Sequence, residues 1–189
     1  GFLGPNGAGK STTMNIITGY ISSTSGKAIV NGYDVFEEPE KAKKSIGYLP
    51  EQPPIYPDMK VREYLMFVAD LKKVPKKERA QMISDIMNLT KISDVSEKLI
   101  KHLSKGYKQR VGLSAAIVGY PEILILDEPT RGIDVGTKVD IQKLVLKLAS
   151  EGKSVTFISS ETDEMLRTCS RLIVMRDRKV VGELTGEDL

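Results

Sequence analysis

Hydrophobic and polar positions along the chain follow two patterns, one typical of buried strands and one typical of helices. A continuous apolar run at 123–126 predicts a strand that is covered on both faces, and 154–160 is a second candidate for a buried strand. The segment 46–49 is also strand-like. Apolar residues at helical spacing predict helices over about 9–20 and 135–150. Strands that alternate with helices favour an α/β fold with a mostly parallel sheet covered by helices.

Turn residues complete this outline. Asn31-Gly32 predicts a hairpin within 27–35, and Asp177-Arg178 predicts a second hairpin between two apolar runs near the end of the chain. A short helix is expected at about 161–169. Several prolines between residues 50 and 57 predict an irregular loop, because proline fixes φ and removes a backbone donor.

The segment from 61 to 119 carries no strand signal. Its apolar residues recur three and four positions apart, which predicts helices throughout. We therefore expect a single domain over 1–189, with core parts at 1–57 and 120–189 and a helical subdomain over about 58–119.

The two ends of the chain differ. Residues 1–3 form an apolar stub that runs directly into a glycine-rich stretch, where a longer buried strand is expected. We therefore expect that an N-terminal β segment is missing and that the chain is a fragment. At the other end, residues 185–189 predict a polar tail that follows the last strand.

Composition excludes several classes of protein. The chain has 189 residues, of which 40% are hydrophobic and 28% charged, and a formal net charge of +3. This excess of positive charge is too small and too evenly spread to predict a nucleic-acid partner. The single cysteine, Cys169, excludes an internal disulfide and suits a reducing compartment. No apolar run approaches the ~20 residues that a membrane-spanning helix needs.

The glycine-rich stretch from Gly4 to Ser11 matches the phosphate-loop pattern G-x-x-x-x-G-K-[ST] in full. Glycines allow successive backbone N–H groups to surround a phosphate, and the helix that follows adds its positive end. Lys10 would supply a mobile charge to the β- and γ-phosphates, and the Ser11 hydroxyl can ligate Mg²⁺. The residues expected to bind nucleotide here are Gly4, Asn6, Gly7, Ala8, Gly9, Lys10, Ser11 and Thr12.

A pair of acids follows the apolar run at 123–126. Ligands of open α/β sheets bind at the carboxyl ends of the strands, where Asp127 and Glu128 would lie. Asp127 would hold Mg²⁺ through water, and Glu128 would act as general base towards the attacking water. On its own the pair also fits a strand end capped by acids beside a turn. Together with the phosphate loop it predicts a site for a nucleotide and Mg²⁺.

A third motif, Leu103-Ser104-Lys105-Gly106-Tyr107-Lys108-Gln109-Arg110, resembles the signature of ATP-binding cassette (ABC) ATPases, commonly written LSGGQ. Lys105 stands where that signature has a glycine and Tyr107 where it has a glutamine. Gln52, in the proline-rich loop, corresponds to the family's Q-loop, and Gly132-Ile133-Asp134 to its D-loop. The motifs occur in the family's order over essentially the whole chain.

The resemblance implies a RecA-like phosphate-loop NTPase core with an inserted α-helical subdomain, which binds and hydrolyses ATP with Mg²⁺. It implies a head-to-tail dimer in which Ser104 and Gly106 of a second copy complete each ATP site. Gln52 would contact the γ-phosphate and the metal, and would move the loop that touches transmembrane permease subunits. The family also implies a cytoplasmic position, peripheral at the inner face of the cell membrane.

Two departures from the family pattern bear on activity. Glu161 stands at the position of the switch histidine, where a carboxylate cannot donate to the γ-phosphate unless protonated and would repel Glu128. Hydrolysis is therefore expected to be slow or to depend on a partner cassette. The aromatic residue that stacks on adenine in this family is expected in the missing N-terminal segment.

The motifs divide between two classes of transporter. The loop at 49–52 and the segment 103–111 look like cassettes of ABC-2 exporters, whereas 130–136 and 159–161 resemble the second cassette of sugar importers. The expected function is the ATPase subunit of an ABC-2 type exporter. The alternatives are a sugar-import cassette and a nucleotide-binding subunit with impaired hydrolysis. A non-transport ABC ATPase fits less well, because 61–119 is too short for a coiled-coil insert and lacks sustained heptads.

Overall fold

The computed structural model describes residues 1–186, which form a six-stranded sheet, a small two-stranded sheet and seven α-helices. The strands are β1 (Phe2–Leu3), β2 (Ile29–Val30), β3 (Tyr33–Asp34), β4 (Ile46–Leu49), β5 (Ile123–Asp127), β6 (Ser154–Ser159), β7 (Arg171–Arg176) and β8 (Lys179–Thr185). The helices are α1 (Lys10–Ile17), α2 (Pro39–Lys44), α3 (Val61–Leu71), α4 (Lys76–Leu89), α5 (Lys105–Ile117), α6 (Val135–Ser150) and α7 (Thr162–Thr168).

The large sheet has the strand order β4-β5-β6-β1-β7-β8. Every neighbouring pair in it is parallel except β7 and β8, which form the closing hairpin that the sequence predicts. The separate hairpin of β2 and β3 turns at the predicted Asn31-Gly32 pair. The mostly parallel α/β sheet is therefore confirmed.

Strand β5 shows why the sheet is covered on both faces. Successive side chains of a strand point to opposite faces, and in β5 all of them are apolar until the last. Leu124 and Leu126 lie in the larger hydrophobic core, with helices of the 61–119 segment, whereas Ile125 lies in a smaller core with Met14 of α1. Both faces of the sheet are thus buried under helices.

The strand register sets which residues meet at the edge where the parallel strands end. Leu3 of β1 is paired with Ser159 of β6, and Asp127 of β5 is paired with Ile158 of the same strand. The three strands therefore end at nearly the same level. The loops that leave them carry the phosphate loop, Glu128 and the switch segment, so these three lie together at one edge.

The segment between β4 and β5 is helical, with α3, α4, α5 and two short 3₁₀ turns. One residue pair, Lys60 and Leu99, makes an isolated antiparallel bridge that the apolar pattern does not predict. Helix α5 packs directly against β4, and its apolar residues share the larger core with the sheet. The helical subdomain is therefore continuous with the core of the sheet.

Some element boundaries differ from the prediction. Helix α1 ends at Ile17 and is capped by Thr18, just before Gly19, where the helix is expected to stop and where φ is +73°. Helix α2 is missed, because among its six residues only Ala42 is buried and no apolar periodicity marks it. The predicted polar tail begins later than expected, because β8 includes Thr185, and residues 187–189 lie outside the described part of the chain.

We predict that the close contact between β4 and α5 requires glycine at position 47. A Cβ there would lie 2.2 Å from the Ala116 carbonyl oxygen and 2.7 Å from Leu124 Cδ2. Gly47→Ala should therefore lower the free energy of unfolding by about 1–3 kcal/mol, measured by urea denaturation. Gly182→Ala in β8 is the matched control, since no described atom lies within 4 Å of the Cβ it would add. Equal losses in the two variants would contradict this account.

Candidate functional site

The phosphate loop links β1 to α1 and needs glycine at two points for different reasons. A Cβ on Gly4 would lie 2.3 Å from the carbonyl oxygen of Met175 in β7, so only glycine fits against that strand. Gly9, which precedes α1, has φ +98°, a left-handed conformation that side chains disfavour. These two residues let the loop turn tightly and begin the helix with its N–H groups facing the loop.

Lys10, the first residue of α1, points back into the loop. Its side chain is only 7% exposed, and Nζ donates to the carbonyl oxygens of Gly4 at 2.6 Å and Pro5 at 3.2 Å. The ammonium group is therefore positioned by the backbone at the centre of the loop. A phosphate entering the loop would meet a cation that is already desolvated, where its charge acts most strongly.

Asp127 and Glu128 are buried at the end of β5, with 4% and 7% exposure. Burial raises the pKa of Asp127, although the nearby Ser11 hydroxyl and the charge of Lys10 oppose the shift. Burial also raises the pKa of Glu128, against the effects of the nearby Ser160 and of the charges of Lys10 and Arg131. A raised pKa makes a carboxylate a better proton acceptor, which suits a general base.

The backbone of Glu128 is strained. Its φ is +49°, unusual for any residue other than glycine, and its N–H donates to the carbonyl oxygen of Ile158 in β6 at 2.9 Å. A turn follows directly, in which the N–H of Arg131 donates to the Glu128 carbonyl oxygen at 3.1 Å. Such local strain persists when the surrounding structure fixes it, and it is concentrated at functional sites.

A cavity of about 560 Å³ joins these elements. Most of the phosphate-loop residues and the two acids Asp127 and Glu128 contribute to its walls, together with five residues that the motifs did not indicate. The lining residues are Asn6, Gly7, Ala8, Gly9, Lys10, Ser11, Thr12, Thr13, Glu51, Asp127, Glu128, Arg131, Met175 and Arg178.

Gln52 is not among the residues that line this cavity, in contrast to the expectation for the Q-loop. Its neighbour Glu51 takes the inward position, because Glu51 forms an ion pair with Arg131 across the cavity. Gln52 is exposed to solvent. Glu51 precedes Gln52 of the Q-loop, and Arg131 follows the Asp127–Glu128 pair by three positions. Their opposite charges are the signal in the sequence that could have indicated the ion pair.

Glu161 also lies outside the cavity lining. Its carboxylate forms an ion pair with Lys138 of α6, and its backbone N–H donates to the Ser159 hydroxyl at 3.0 Å. The expected repulsion of Glu128 is not found, since Asp127 is the acid whose charge raises the Glu128 pKa. Lys138 explains this difference, because it draws the side chain at the switch position towards α6.

Ser104 and Gly106 lie at the start of α5, away from the cavity lining. The Ser104 hydroxyl caps the helix by accepting a backbone N–H of the first turn at 3.4 Å. Gly106 packs against α6 so closely that a Cβ would lie 3.1 Å from Thr137 Oγ1. An ion pair between Arg110 and Asp140, at 2.8 Å, also joins α5 to α6.

Sequence patterns gave no indication of Glu164, a carboxylate that is only 3% exposed in α7. It accepts hydrogen bonds from Thr130 at 2.6 Å, Gln142 at 2.9 Å and Ser159 at 2.9 Å. Thr130 lies two positions after Glu128, and Ser159 ends the strand that leads to the switch segment. Glu164 therefore connects the loop of the two acids to the switch segment through hydrogen bonds to neutral side chains.

Comparison with known proteins identifies the family of this chain. Residues 1–131 match the ABC transporter family. The whole chain is 36% identical to an uncharacterized ABC transporter ATP-binding protein, MJ1023, of Methanocaldococcus jannaschii, and spans 68% of its length. The chain belongs to the ABC transporter family. It is an ATPase domain of that family, with the phosphate-loop NTPase fold that the motifs predict.

Other ABC proteins match over different shares of their length. The chain is 33% identical over its full length to the linearmycin resistance ATP-binding protein LnrL of Bacillus subtilis, of which it spans 61%. It is 33% identical over 93% of its length to rat ATP-binding cassette sub-family A member 2, of which it spans 7%. The chain therefore covers less than two thirds of each of these two relatives.

Solved ABC structures have the same fold. The ATP-binding subunit of an ABC transporter superposes with a TM-score of 0.88 and 26% identity, over 99% of this chain and 78% of that one. A dimeric bacterial ABC transporter cassette, MJ0796, superposes with a TM-score of 0.87 and 24% identity, over 97% of this chain and 83% of that one. Within residues 1–186, the ABC domain has no helix long and apolar enough to cross a membrane.

We predict that the charge of Glu128 destabilises the nucleotide-free domain. With its pKa raised by burial, the folded chain binds more protons than the unfolded chain between the two pKa values. Stability therefore falls as the pH rises through that interval, and Glu128→Gln removes the loss. Urea unfolding should show Glu128→Gln to be more stable than the parent at neutral pH, with a gain that shrinks as the pH falls towards 4.5 and is lost below it.

The exposed acid Asp163, on the surface of α7, provides the control for this measurement. Asp163→Asn should change stability little and show no such gain near neutral pH, because an exposed carboxylate keeps its hydration. A Glu128→Gln variant that is less stable than the parent at neutral pH, or whose difference from it does not vary with pH, would contradict the prediction.

Proposed function

We propose that this domain is the ATP-binding and ATP-hydrolysing subunit of an ABC transporter, of the ABC-2 export type. The observation that carries the proposal is one cavity, in which the phosphate loop, the buried Lys10 and the carboxylates of Asp127 and Glu128 meet. Backbone N–H groups and a lysine suit a triphosphate, and two carboxylates suit a metal ion and a proton acceptor.

The residues present fit Mg²⁺ that arrives with the nucleotide. Mg²⁺ prefers oxygen ligands and is commonly held by one or two protein groups together with substrate phosphates. The Asp127 carboxylate and the Ser11 hydroxyl meet in the cavity and would supply such ligands. Within residues 1–186 there is no cluster of three or more acidic, histidine or cysteine side chains that could hold a metal ion alone. Once bound, the ion would neutralise charge on the phosphate oxygens.

Each residue of the cavity has a distinct task in this proposal. Lys10 exchanges the carbonyl oxygens of Gly4 and Pro5 for oxygens of the β- and γ-phosphates. Glu128, with its raised pKa, accepts the proton of the attacking water. Gln52, which is exposed in the nucleotide-free chain, would turn into the cavity to contact the γ-phosphate and the metal.

A second copy of the chain would complete the site in a head-to-tail dimer. Ser104 and Gly106 lie outside the cavity of their own chain, and Ser104 is exposed, so the start of α5 could face the nucleotide of another copy. The start of α5 combines a hydroxyl, backbone donors and the positive end of a helix dipole, which suits a γ-phosphate. The dimeric form of MJ0796, which has the same fold, supports this arrangement.

An apolar groove supports a transmembrane partner. It encloses about 490 Å³ between the sheet and the helical subdomain, with the rings of Tyr56 and Phe67 exposed at 52% and 36%. Pro50 and Pro54 of the Q-loop line this groove, and Glu51, between them in the sequence, lines the nucleotide cavity. A permease segment seated in the groove would therefore contact the loop that senses the nucleotide. The domain would then lie at the cytoplasmic face of the membrane.

The proposed assignment to a class of transporter depends on fewer residues. The signature and Q-loop segments favour ABC-2 export, and the Bacillus relative is named for resistance to linearmycin. The segments 130–136 and 159–161 favour a sugar-import cassette instead. The ion pair of Glu161 with Lys138 favours a third candidate, a nucleotide-binding subunit with impaired hydrolysis. Steady-state phosphate release from the parent protein, compared with that of Glu161→His, separates this candidate from an active ATPase.

We expect Lys10→Ala to weaken Mg-ATP binding by roughly 100-fold, because two phosphates lose a buried charged donor. Isothermal titration calorimetry measures this directly. Lys138→Ala is the matched control, since Lys138 lies outside the cavity and should leave ATP affinity unchanged. Equal affinity in Lys10→Ala and the parent would show that the phosphate loop is not the nucleotide site.

A further prediction concerns the second copy. Glu128→Gln should retain ATP binding but lose turnover, so that ATP accumulates between two chains and the dimer persists. Light scattering after gel filtration should show a dimer of Glu128→Gln with ATP and a monomer with ADP. Adding Ser104→Arg should abolish the ATP-dependent dimer while the chain stays folded. A Glu128→Gln variant that hydrolyses ATP at the parent rate would show that the base lies elsewhere.

A further inference from the structure

Arg131 lies beside the proposed catalytic base. Its backbone N–H donates to the carbonyl oxygen of Glu128 at 3.1 Å, so one turn fixes the two residues next to each other. Its side chain lines the same cavity as the phosphate loop. The charge of Arg131 also lowers the pKa of Glu128, which places the guanidinium within electrostatic reach of that carboxylate.

In the nucleotide-free chain Arg131 pairs with Glu51, and a phosphate could take the place of that carboxylate. Nη1 of Arg131 pairs with Oε1 of Glu51, and the two side chains are 50% and 44% exposed. An ion pair this exposed contributes little to stability. The planar guanidinium presents parallel donors that match the oxygens of a phosphate, which carries more charge than one carboxylate. A phosphate in the cavity can therefore compete with Glu51 for Arg131.

The switch position leaves a gap in the charges that surround the phosphates. The Glu161 carboxylate is paired with Lys138 outside the cavity, so the residue at the switch position contributes no positive charge to the cavity walls. Three cationic side chains line the cavity, those of Lys10, Arg131 and Arg178. Lys10 belongs to the phosphate loop, and Arg178 belongs to the turn between β7 and β8. Of these three residues, Arg131 is therefore the one whose backbone is hydrogen-bonded to that of Glu128.

We propose that Arg131 is a catalytic residue that leaves Glu51 when ATP binds and contacts the γ-phosphate in its own subunit. The proposal rests on the ATPase function proposed above. In the reaction, the oxygen of water forms a bond to the γ-phosphorus, and the bond from that phosphorus to the bridging oxygen breaks. ADP leaves with the electron pair of the broken bond, and the proton of the water passes to Glu128. Arg131 transfers no proton and stabilises negative charge on the phosphoryl oxygens.

The first test is steady-state phosphate release by the full-length protein. Arg131→Gln should lower kcat by about 100-fold or more, with a smaller change in KM, because the contact made to bound ATP strengthens in the transition state. Arg131→Lys should recover only part of the loss, because an ammonium group lacks the planar pair of donors. Arg171→Gln is the matched control and should keep the parent kcat, since Arg171 forms an exposed ion pair with Glu183 outside the cavity. Circular dichroism and urea unfolding check that each variant is folded.

Glu51→Gln tests the exchange of partners. It frees Arg131 in the nucleotide-free state, so kcat should be equal to or higher than that of the parent. A loss in Glu51→Gln as large as that in Arg131→Gln would overturn the proposal, because the ion pair itself would then be what activity needs. An unchanged kcat in Arg131→Gln would also overturn it, while leaving the ATPase function in place.

A second measurement does not depend on turnover. In the Glu128→Gln background, calorimetry gives the affinities for ATP and for ADP. Adding Arg131→Gln should weaken ATP binding about tenfold more than ADP binding, since only ATP carries the γ-phosphate. Equal losses for the two nucleotides would overturn the proposal. Absence of ATP binding in the parent protein itself would refute the proposed function rather than the role of Arg131.

Discussion

The site depends on one constraint, the common level at which three adjacent parallel strands end. Pairing of Leu3 with Ser159 and of Asp127 with Ile158 brings the phosphate loop, the two acids and the switch segment to the same edge of the sheet. A shift by one residue in the β5 pairing would exchange the side chains that face the larger and the smaller hydrophobic core, such as Leu124 and Ile125, and would disrupt the packing of both. The hydrophobic core on both faces therefore fixes the geometry of the polar site.

Much of the fold follows from patterns that are local in the sequence. The continuous apolar run from Ile123 to Leu126 marks a strand buried on both faces, and the Asn31-Gly32 pair marks a hairpin. Helix α2 escapes prediction because only Ala42 among its six residues is buried, so its sequence has no apolar periodicity. The bridge between Lys60 and Leu99 joins distant parts of the chain, and no local pattern encodes it.

The residues of the site likewise divide into those that local sequence patterns predict and those that they do not. The sequence predicts Lys10 from a motif of fixed spacing, and Asp127 from an apolar run that ends in an acid. Both predictions succeed because each signal lies in residues that are adjacent along the chain. Glu51, Arg131 and Glu164 take their places through contacts between remote segments. A motif at position 52 or 161 identifies a segment but does not determine which of its side chains faces the cavity. That choice depends on partners elsewhere in the fold, such as the lysine of α6 that draws Glu161 away.

The proline-rich loop that follows β4 joins three parts of the molecule. Glu51 lines the nucleotide cavity, and Pro54 lines the apolar groove. Pro53 packs against α5 so closely that a Cβ added to Gly112 would lie 2.6 Å from the Cβ of Pro53. Each proline fixes one backbone torsion, so the loop has little freedom to absorb a displacement by bending. A small displacement of this loop at the cavity is therefore expected to shift α5 as a rigid body, together with Ser104 at its N-terminus. The same stiffness would relay mechanical force between groove and cavity in either direction.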